Sequence, residues 1–159
     1  MSHQSEAVAL LRPIRFFASF DDAWLESVYG LASYREAKAG TYLVKESEEG
    51  QEMFILLAGE LAVEVSLPRG RGKEVVATLG QGELLGELTL LGYTRRSASA
   101  RVVTDVSTLS WQRDELLHLF AEHTDIGFAF MTSLARVLAG KLISTNADLS
   151  AAFFHAVYK

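Results

Sequence analysis

The sequence predicts a mainly β fold with flanking helices, built as a β-roll of the jelly-roll (double-stranded β-helix) type. Between residues 40 and 111, short apolar runs rich in Val, Leu, Ile and Tyr are cut by glycine every eight to twelve residues, as in antiparallel sandwiches and barrels. On both sides of this region apolar residues recur at helical intervals. We expect one domain over residues 1–159, with a roll of about eight strands.

Size and composition set the broad class of protein. A chain of 159 residues, 49% apolar and 22% charged, suits one globular domain. It contains no cysteine, which excludes a disulfide framework and a thiolate metal site. The N-terminus lacks the features of a secretory signal, and no segment has about 18 consecutive apolar residues. We expect a soluble cytoplasmic protein, with no membrane association and no bound metal.

The charge balance bears on nucleic-acid binding. The net charge is −5 and the isoelectric point is about 5.4, so the chain repels a DNA backbone unless a local basic patch reverses the field. The densest basic cluster, "PRGRGK" at 68–73, is better interpreted as a solvated turn between strands because of its Pro and Gly content. No direct DNA binding is expected.

The flanking segments are predicted to be helical. N-terminal helices are expected within residues 5–36, as segments 5–15 and 21–36, with an aspartate of "FDD" as the N-cap of the second. C-terminal helices are expected over 113–149, with a long one at 125–149. One stripe of the long helix predicts a core face or a seam with a partner helix; it contains Met131, Leu134, Leu138, Leu142, Thr145 and Leu149.

The β-roll is predicted from five segments. Gly59 within "LLAGELAV" is interpreted as a tight hairpin turn, because glycine accepts positive φ without strain. The predicted strand segments are "TYLVKE", "EMFILLAGELAVEVSL", "EVVATL", "SASARVV" and "VSTLSW".

The stretch "GELLGELTLLGYTRRSASARV", residues 82–102, has the residues of an anion site. A helix starting at Gly86-Glu87 presents unpaired backbone N–H groups and a favourable dipole to an anion. Arg96 offers a planar fork for phosphate oxygens, and Ser97 offers a hydroxyl donor. Glu87 repels phosphate but suits a neighbouring ribose hydroxyl. Taken singly, a Gly-Glu turn and a solvated arginine pair are the simpler interpretations; together the residues predict a pocket for a sugar phosphate.

The segment "GELTLLGYTRRSASA" resembles the phosphate-binding cassette of cyclic nucleotide-binding domains, such as those of the bacterial catabolite gene activator and cyclic-AMP-dependent kinase regulatory subunits. The resemblance extends over nearly the whole chain and places the cassette at 86–99. It implies that Gly86 meets the nucleotide through its backbone, Glu87 holds the ribose 2′-hydroxyl, and Arg96 and Ser97 hold the cyclic phosphate. Leu88 and Ala98 complete the implied ligand-binding set.

The final helix is similar to the dimerisation helix of bacterial activators of this family, which implies a homodimer. Thr145 and Asn146 fall where a hydroxyl pair reaches the base, although a polar helix end is an equally open interpretation. Lys141 falls where an arginine pairs with the cassette glutamate, and a Glu87–Lys141 contact is expected. The chain departs from the family pattern at Leu85, usually aromatic, and at Arg95, usually proline; Arg95 adds a spare charge near the phosphate.

The sequence suggests two candidate functions and argues against a third. The first is a non-enzymatic cyclic nucleotide sensor that takes cyclic AMP, or less favourably cyclic GMP, and signals through the C-terminal helices. The second is a nucleotide-free protein interaction module on the same fold. The third, an enzyme, is disfavoured because the histidines lie outside the strands and no nucleophile motif is present. Residues 150–159 are too short for a DNA-binding module. If the chain is full-length, a stand-alone sensor is expected; if it is an excised domain, the function of the remainder is open. The tail is expected to fold back on the roll or to dock on a partner.

Overall fold

The computed structural model describes residues 3–157, with helices at both ends of the chain and an antiparallel sheet between them. Three short 3-10 helices lie in the connections, at Arg15–Phe17, Pro68–Gly70 and Glu87–Leu91. We call the last of these the cassette helix. The α-helices are α1 (His3–Leu11), α2 (Asp22–Tyr29), α3 (Arg113–Glu122) and α4 (Thr124–Val157).

The described residues form a six-stranded antiparallel sheet, which confirms the β-roll but corrects the expected number of strands. The central order is β1-β6-β3-β4, with β2 paired to β6 and β5 paired to β3. Basic residues 69–73 lie in or next to the β3–β4 connection, as predicted. The strands are β1 (Ser33–Ala37), β2 (Tyr42–Val44), β3 (Glu52–Ser66), β4 (Lys73–Leu79), β5 (Leu84–Leu85) and β6 (Ser99–Gln112).

Two long strands replace four of the predicted short ones. The hairpin predicted at Gly59 is wrong, because Gly59 lies inside the continuous strand β3, where the register with β6 shifts around it. Its φ of 87° is left-handed, and a Cβ there would lie under 3.0 Å from the carbonyl oxygen of Asp105. Glycine is therefore required for a bulge and a close backbone approach. Similarly, "SASARVV" and "VSTLSW" belong to the single strand β6.

The second N-terminal helix is shorter than the predicted 21–36. It begins as predicted, with the Asp21 carboxylate accepting a 2.8 Å hydrogen bond from the backbone N–H of Trp24. It ends at Tyr29, and residues 33–37 form β1 instead. This segment pairs with β6 from Ser33↔Ser110 onward. A neighbouring strand that is distant in sequence therefore overrides the helical spacing.

The long helix α4 extends past the predicted end at 149 to Val157, so the described part of the tail continues the helix instead of folding back. Residues 158–159 lie outside the described residues. By length and composition alone α4 could cross a membrane, with a mean hydropathy of 1.5 in its best window. Its first half is a core helix, however, because Ile126, Phe130 and Leu134 are buried.

The core has two parts. One lies between the helices and one end of the sheet, where Phe17, Phe130 and Trp111 pack together. The Trp111 indole N–H donates a 2.8 Å hydrogen bond to the carbonyl oxygen of Val28 and so ties α2 to β6. The other part fills the interior of the roll with Leu56, Leu61, Val102 and their neighbours. Leu90 of the cassette helix is buried in the first of these regions.

Candidate functional site

The cassette begins with a sharp turn at Gly86. Strand β5 pairs with β3 through Phe54↔Leu85, and the chain then turns at Gly86 into the cassette helix. Gly86 has φ 74° and ψ 16°, the left-handed conformation that favours glycine. A Cβ at this position would also lie 2.8 Å from the carbonyl oxygen of Glu52 and against the Arg96 guanidinium. Both the conformation and the space require glycine.

The Glu87 carboxylate is buried and bound to the long helix. The side chain of Glu87 is only 7% exposed, and its Oε1 accepts a hydrogen bond from Lys141 Nζ. The same ammonium group donates to the carbonyl oxygen of Leu84 at 3.3 Å. The structure therefore forms the Glu87–Lys141 contact expected from the sequence. Because Lys141 belongs to α4, this ion pair joins the helix directly to the cassette.

The Arg96 guanidinium has no ion-pair partner among the described residues. It lies against Gly86 and 5.9 Å from the centre of the Phe54 ring. Burial lowers the pKa of Arg96 from its usual value, while the negative charge of Glu52 partly opposes this shift. An arginine nonetheless stays charged at neutral pH. A half-buried cation without a partner has free donors for an anionic ligand.

The cassette and α4 enclose an open cleft with a volume of about 2200 Å³. Ser97 is exposed at its wall, Ala98 is half-buried, and the side chain of Leu88 is 36% exposed. Nearly all the predicted site residues line this one cleft: Gly86, Glu87, Leu88, Arg95, Arg96, Ser97, Ala98, Lys141 and Thr145. Asn146 is the exception, since it is exposed and does not line the cleft.

The cleft-facing side of α4 differs from the predicted one. Thr145 faces the cleft, but its hydroxyl donates to the Lys141 carbonyl oxygen at 2.9 Å, within the helix. Ser144 and Asp148 also line the cleft, although the sequence had not singled them out. Their spacing of three and seven residues from Lys141 is the helical signal that could have found them. The base contact predicted for Thr145 and Asn146 stays a prediction, and of the two only Thr145 lies on the side of α4 that faces the cleft.

The loop before β3 is hydrogen-bonded to the cassette, and nothing in its sequence had indicated a place in the site. The Gly50 N–H donates to the Thr94 carbonyl oxygen at 2.8 Å, and the Thr89 hydroxyl donates to the Gly50 carbonyl oxygen at 3.0 Å. Arg113, at the start of α3, donates to the Thr89 carbonyl oxygen at 2.9 Å. These contacts hold the cassette between the loop and α3. Only the tertiary structure brings these segments together.

The lining of the cleft combines two charged groups with apolar side chains of the roll. The Arg96 guanidinium has no ion-pair partner among the described residues, and the buried Glu87 carboxylate is paired with Lys141. Among the described residues, no three histidine, aspartate or glutamate side chains are grouped as a metal site. Arg95 also lines the cleft, and its exposed side chain contributes a second positive charge to the same wall.

The fold is that of a β-roll domain with a ligand-sized cleft between the cassette and α4. The chain belongs to the cyclic nucleotide-binding domain family, which it matches over residues 34–123. This match includes the sheet, the cassette and α3.

Relatives and solved structures agree with this assignment. The chain is 30% identical over 115 residues to the CRP-like cAMP-activated global transcriptional regulator of Mycobacterium tuberculosis, covering 72% of this chain but only 49% of the relative. The chain therefore spans about half the length of that regulator. A cyclic nucleotide-binding domain from Methylobacillus flagellatus KT has the same fold, with a TM-score of 0.83 and 21% identity over 94% of this chain and 84% of its own. The catabolite activator protein of Thermus thermophilus has a TM-score of 0.74 and 25% identity, over 87% of this chain and 63% of its own.

Proposed function

We propose that this protein is a cyclic nucleotide sensor, with cyclic AMP preferred over cyclic GMP, and that it regulates a partner without catalysing a reaction. The observation that supports this most directly is the Arg96 guanidinium, which has no ion-pair partner among the described residues and faces the same cleft as Glu87. The preference for cyclic AMP rests on the serine that follows Arg96 and on the cAMP-activated regulator among the relatives. A soluble, cytoplasmic location fits such a regulator.

In the proposed complex the cyclic phosphate binds Arg96 and Ser97. The Glu87 carboxylate accepts a hydrogen bond from the ribose 2′-hydroxyl and keeps its ion pair with Lys141. The base then lies along α4 near Thr145 and Ser144, two of the polar residues of the helix that line the cleft. Backbone N–H groups at the start of the cassette helix add to the positive potential at the phosphate.

Signalling would follow from the place of α4 in the cleft wall. In this complex the phosphate and ribose of the nucleotide contact the cassette, and its base contacts α4. The affinity for the nucleotide therefore depends on the position of α4. A ligand shifts a conformational equilibrium by the difference between its affinities for the two states. The Lys141–Glu87 pair is the contact that transmits a change at the ribose to the helix.

Titration calorimetry with cyclic AMP and cyclic GMP, on protein freed of bound nucleotide, tests this proposal. We expect cyclic AMP to bind with micromolar or tighter affinity. Arg96→Ala should weaken binding by about 30-fold or more, because truncating one partner of a buried charged pair typically costs about 2–5 kcal/mol. Arg96→Lys should lie between the two, since it keeps the charge but loses the planar fork.

The control is Arg71→Ala, which removes an exposed arginine in the turn between β3 and β4 and should leave binding unchanged. Thermal unfolding of each variant checks that the fold is intact. Binding of equal strength in wild type and Arg96→Ala would place the nucleotide elsewhere.

The second candidate function is a nucleotide-free interaction module. It is favoured by one observation, the exposed apolar side chains on the second half of α4, among them Leu142, Ile143 and Phe153. A cleft that gives no heat and no stabilisation at millimolar cyclic AMP or cyclic GMP would support this function instead.

A further inference from the structure

The Arg96 side chain lies in a narrow slot between two glycines. A Cβ built on Gly50 would lie under 3.0 Å from the Nε, Cζ and Nη2 atoms of Arg96. On the other side, a Cβ built on Gly86 would meet Nη1 of the same guanidinium. The guanidinium therefore lies directly against the backbone of both glycines, with the Phe54 ring 5.9 Å away.

The two glycines are required for different reasons. Gly86 has a left-handed φ, and a side chain there would also meet backbone. Gly50 is not among the residues with positive φ, so its conformation is open to alanine. The three atoms nearest to a Cβ on Gly50 all belong to the Arg96 side chain. A side chain at position 50 would therefore collide first with the Arg96 guanidinium.

The backbone of Arg96 cannot yield to such a collision, because it is held to the same loop. The Arg96 N–H donates to the Glu48 carbonyl oxygen at 2.8 Å, and the Ser47 N–H donates to the Arg96 carbonyl oxygen at 2.8 Å. Gly50 N–H is bonded to Thr94 at the same distance. A side chain at position 50 would therefore displace the mobile part of Arg96, which is the guanidinium.

We propose that Gly50 is a positioning residue: the absence of its side chain orients the Arg96 guanidinium toward the cleft. This inference rests on the proposed function only for the identity of the ligand, a cyclic phosphate. A guanidinium displaced from the slot keeps its charge but loses the orientation in which its N–H groups face the phosphate. Charge-assisted hydrogen bonds depend on that geometry.

The test is Gly50→Ala, measured by cyclic AMP affinity and by thermal unfolding. We expect affinity to fall about tenfold or more, the usual effect of losing one hydrogen bond to a charged group. The melting temperature should stay the same or rise slightly, because alanine at a compatible φ restricts the unfolded chain. A residue with a merely structural role would show the reverse, a lower melting temperature with little change in affinity.

Two further variants separate positioning from other effects. Gly80→Ala is the matched control, since Gly80 also lacks a positive φ and its nearest atom to a Cβ is 3.9 Å away. It should change neither property. In an Arg96→Ala background, Gly50→Ala should cause no further loss of affinity, because the group that it displaces is gone. An equal loss in both backgrounds would overturn the proposal.

The NMR signal of the Arg96 Nε–H group in nucleotide-free protein gives a readout that does not need the ligand. Gly50→Ala should shift this signal and Gly80→Ala should not. If the wild type binds no cyclic nucleotide but the signal shifts, the proposed function fails and the positioning role stands. If the signal is unmoved by Gly50→Ala, the positioning role is wrong whatever the ligand.

Discussion

The ammonium group of Lys141 joins α4 to the cassette through two acceptors, the Glu87 carboxylate and the Leu84 carbonyl oxygen. The two members of the pair differ in burial, because the side chain of Lys141 is 42% exposed and that of Glu87 only 7%. Water can replace Glu87 as a partner of the exposed ammonium group, but it cannot readily replace Lys141 as a partner of the buried carboxylate. A buried acceptor that loses its donor retains its full desolvation cost.

We predict that Lys141→Met lowers the free energy of unfolding by about 1–2 kcal/mol, near the lower end for a buried pair because solvent reaches the lysine. It should also weaken cyclic AMP binding, since the carboxylate that meets the ribose is no longer held to α4. Lys141→Arg is the conservative control and should retain most of both properties. Chemical denaturation and calorimetry measure the two effects.

A double-mutant cycle with Glu87→Gln identifies the partner. The coupling between positions 87 and 141 should be about 0.5–3 kcal/mol, the range for residues in direct contact. If Lys141→Met lowers the free energy of unfolding equally with glutamate and with glutamine at position 87, the lysine stabilises the fold through another group.

At the scale of the element, α4 has two faces with different surroundings. One face lines the cleft with Lys141, Ser144 and Thr145. A second face carries a stripe of residues that are alternately four and three positions apart, which is the heptad spacing of a coiled coil. All members except the half-buried Thr132 are exposed, and one of them, Leu149, also lines the cleft. The stripe consists of Phe128, Thr132, Ala135, Ala139, Leu142, Asn146, Leu149 and Phe153.

This stripe suits the homodimer that the resemblance of the final helix implies, and it includes Asn146. The stripe predicted from the sequence had contained Leu134, which is buried in the core, and Thr145, which faces the cleft. The exposed stripe shares Leu142 and Leu149 with the predicted one but otherwise lies on a different side of the helix, and Asn146 is the sixth of its eight members. A single asparagine at a seam position is a known means of specifying register, at a cost in stability.

We predict that the protein sediments as a dimer and that Leu142→Asp makes it a monomer, because a charge in an apolar seam loses its hydration. Ile143→Asp is the matched control: Ile143 is 70% exposed on the next position of the helix but lies off the stripe. Asn146→Leu should tighten association and allow more than one register. A monomeric wild type, or equal behaviour of the two aspartate variants, would contradict the proposed seam.

At the scale of the whole molecule, a polar contact at Glu64 joins three strands of the roll. Arg101 Nε donates to Glu64 Oε1 at 2.7 Å, and the Tyr42 hydroxyl donates to Glu64 Oε2 at 3.0 Å. The hydrogen bond from Arg101, assisted by that from Tyr42, holds the pKa of Glu64 below its ordinary value. Three strands, β2, β3 and β6, meet at this carboxylate.

The lowered pKa has a consequence for acid stability. A carboxyl group that is more acidic in the folded state than in the unfolded state stabilises the fold above its unfolded pKa, and this contribution is lost as the pH falls through its folded pKa. Glu64→Gln should therefore lower stability at neutral pH and flatten its decline below about pH 4–5. Urea unfolding across that pH range measures both effects. Glu60→Gln, at an exposed position of the same strand, is the control, and an equal change in both variants would contradict the assignment.

The sequence by itself determined the class of fold and identified nine residues of the cleft lining, with Asn146 the one predicted site residue outside it. These features are encoded locally: the strands by short runs rich in apolar and β-branched residues, the turn by the glycine at position 86, and the predicted anion site by Arg96 close to that turn in the chain. The element boundaries were less certain, because residues 33–37 take their conformation from pairing with β6 and not from their own helical spacing.

Only the tertiary structure decided how segments distant in the sequence meet. The bulge at Gly59 exists because Asp105 approaches it, and the slot at Gly50 exists because Arg96 lies across it. The orientation of α4 depends on the burial of Phe130 and Leu134 in the core, which turns Lys141 toward Glu87 and Asn146 away from the cleft. Helical periodicity shows which residues share a face, but packing against the rest of the molecule decides where each face points.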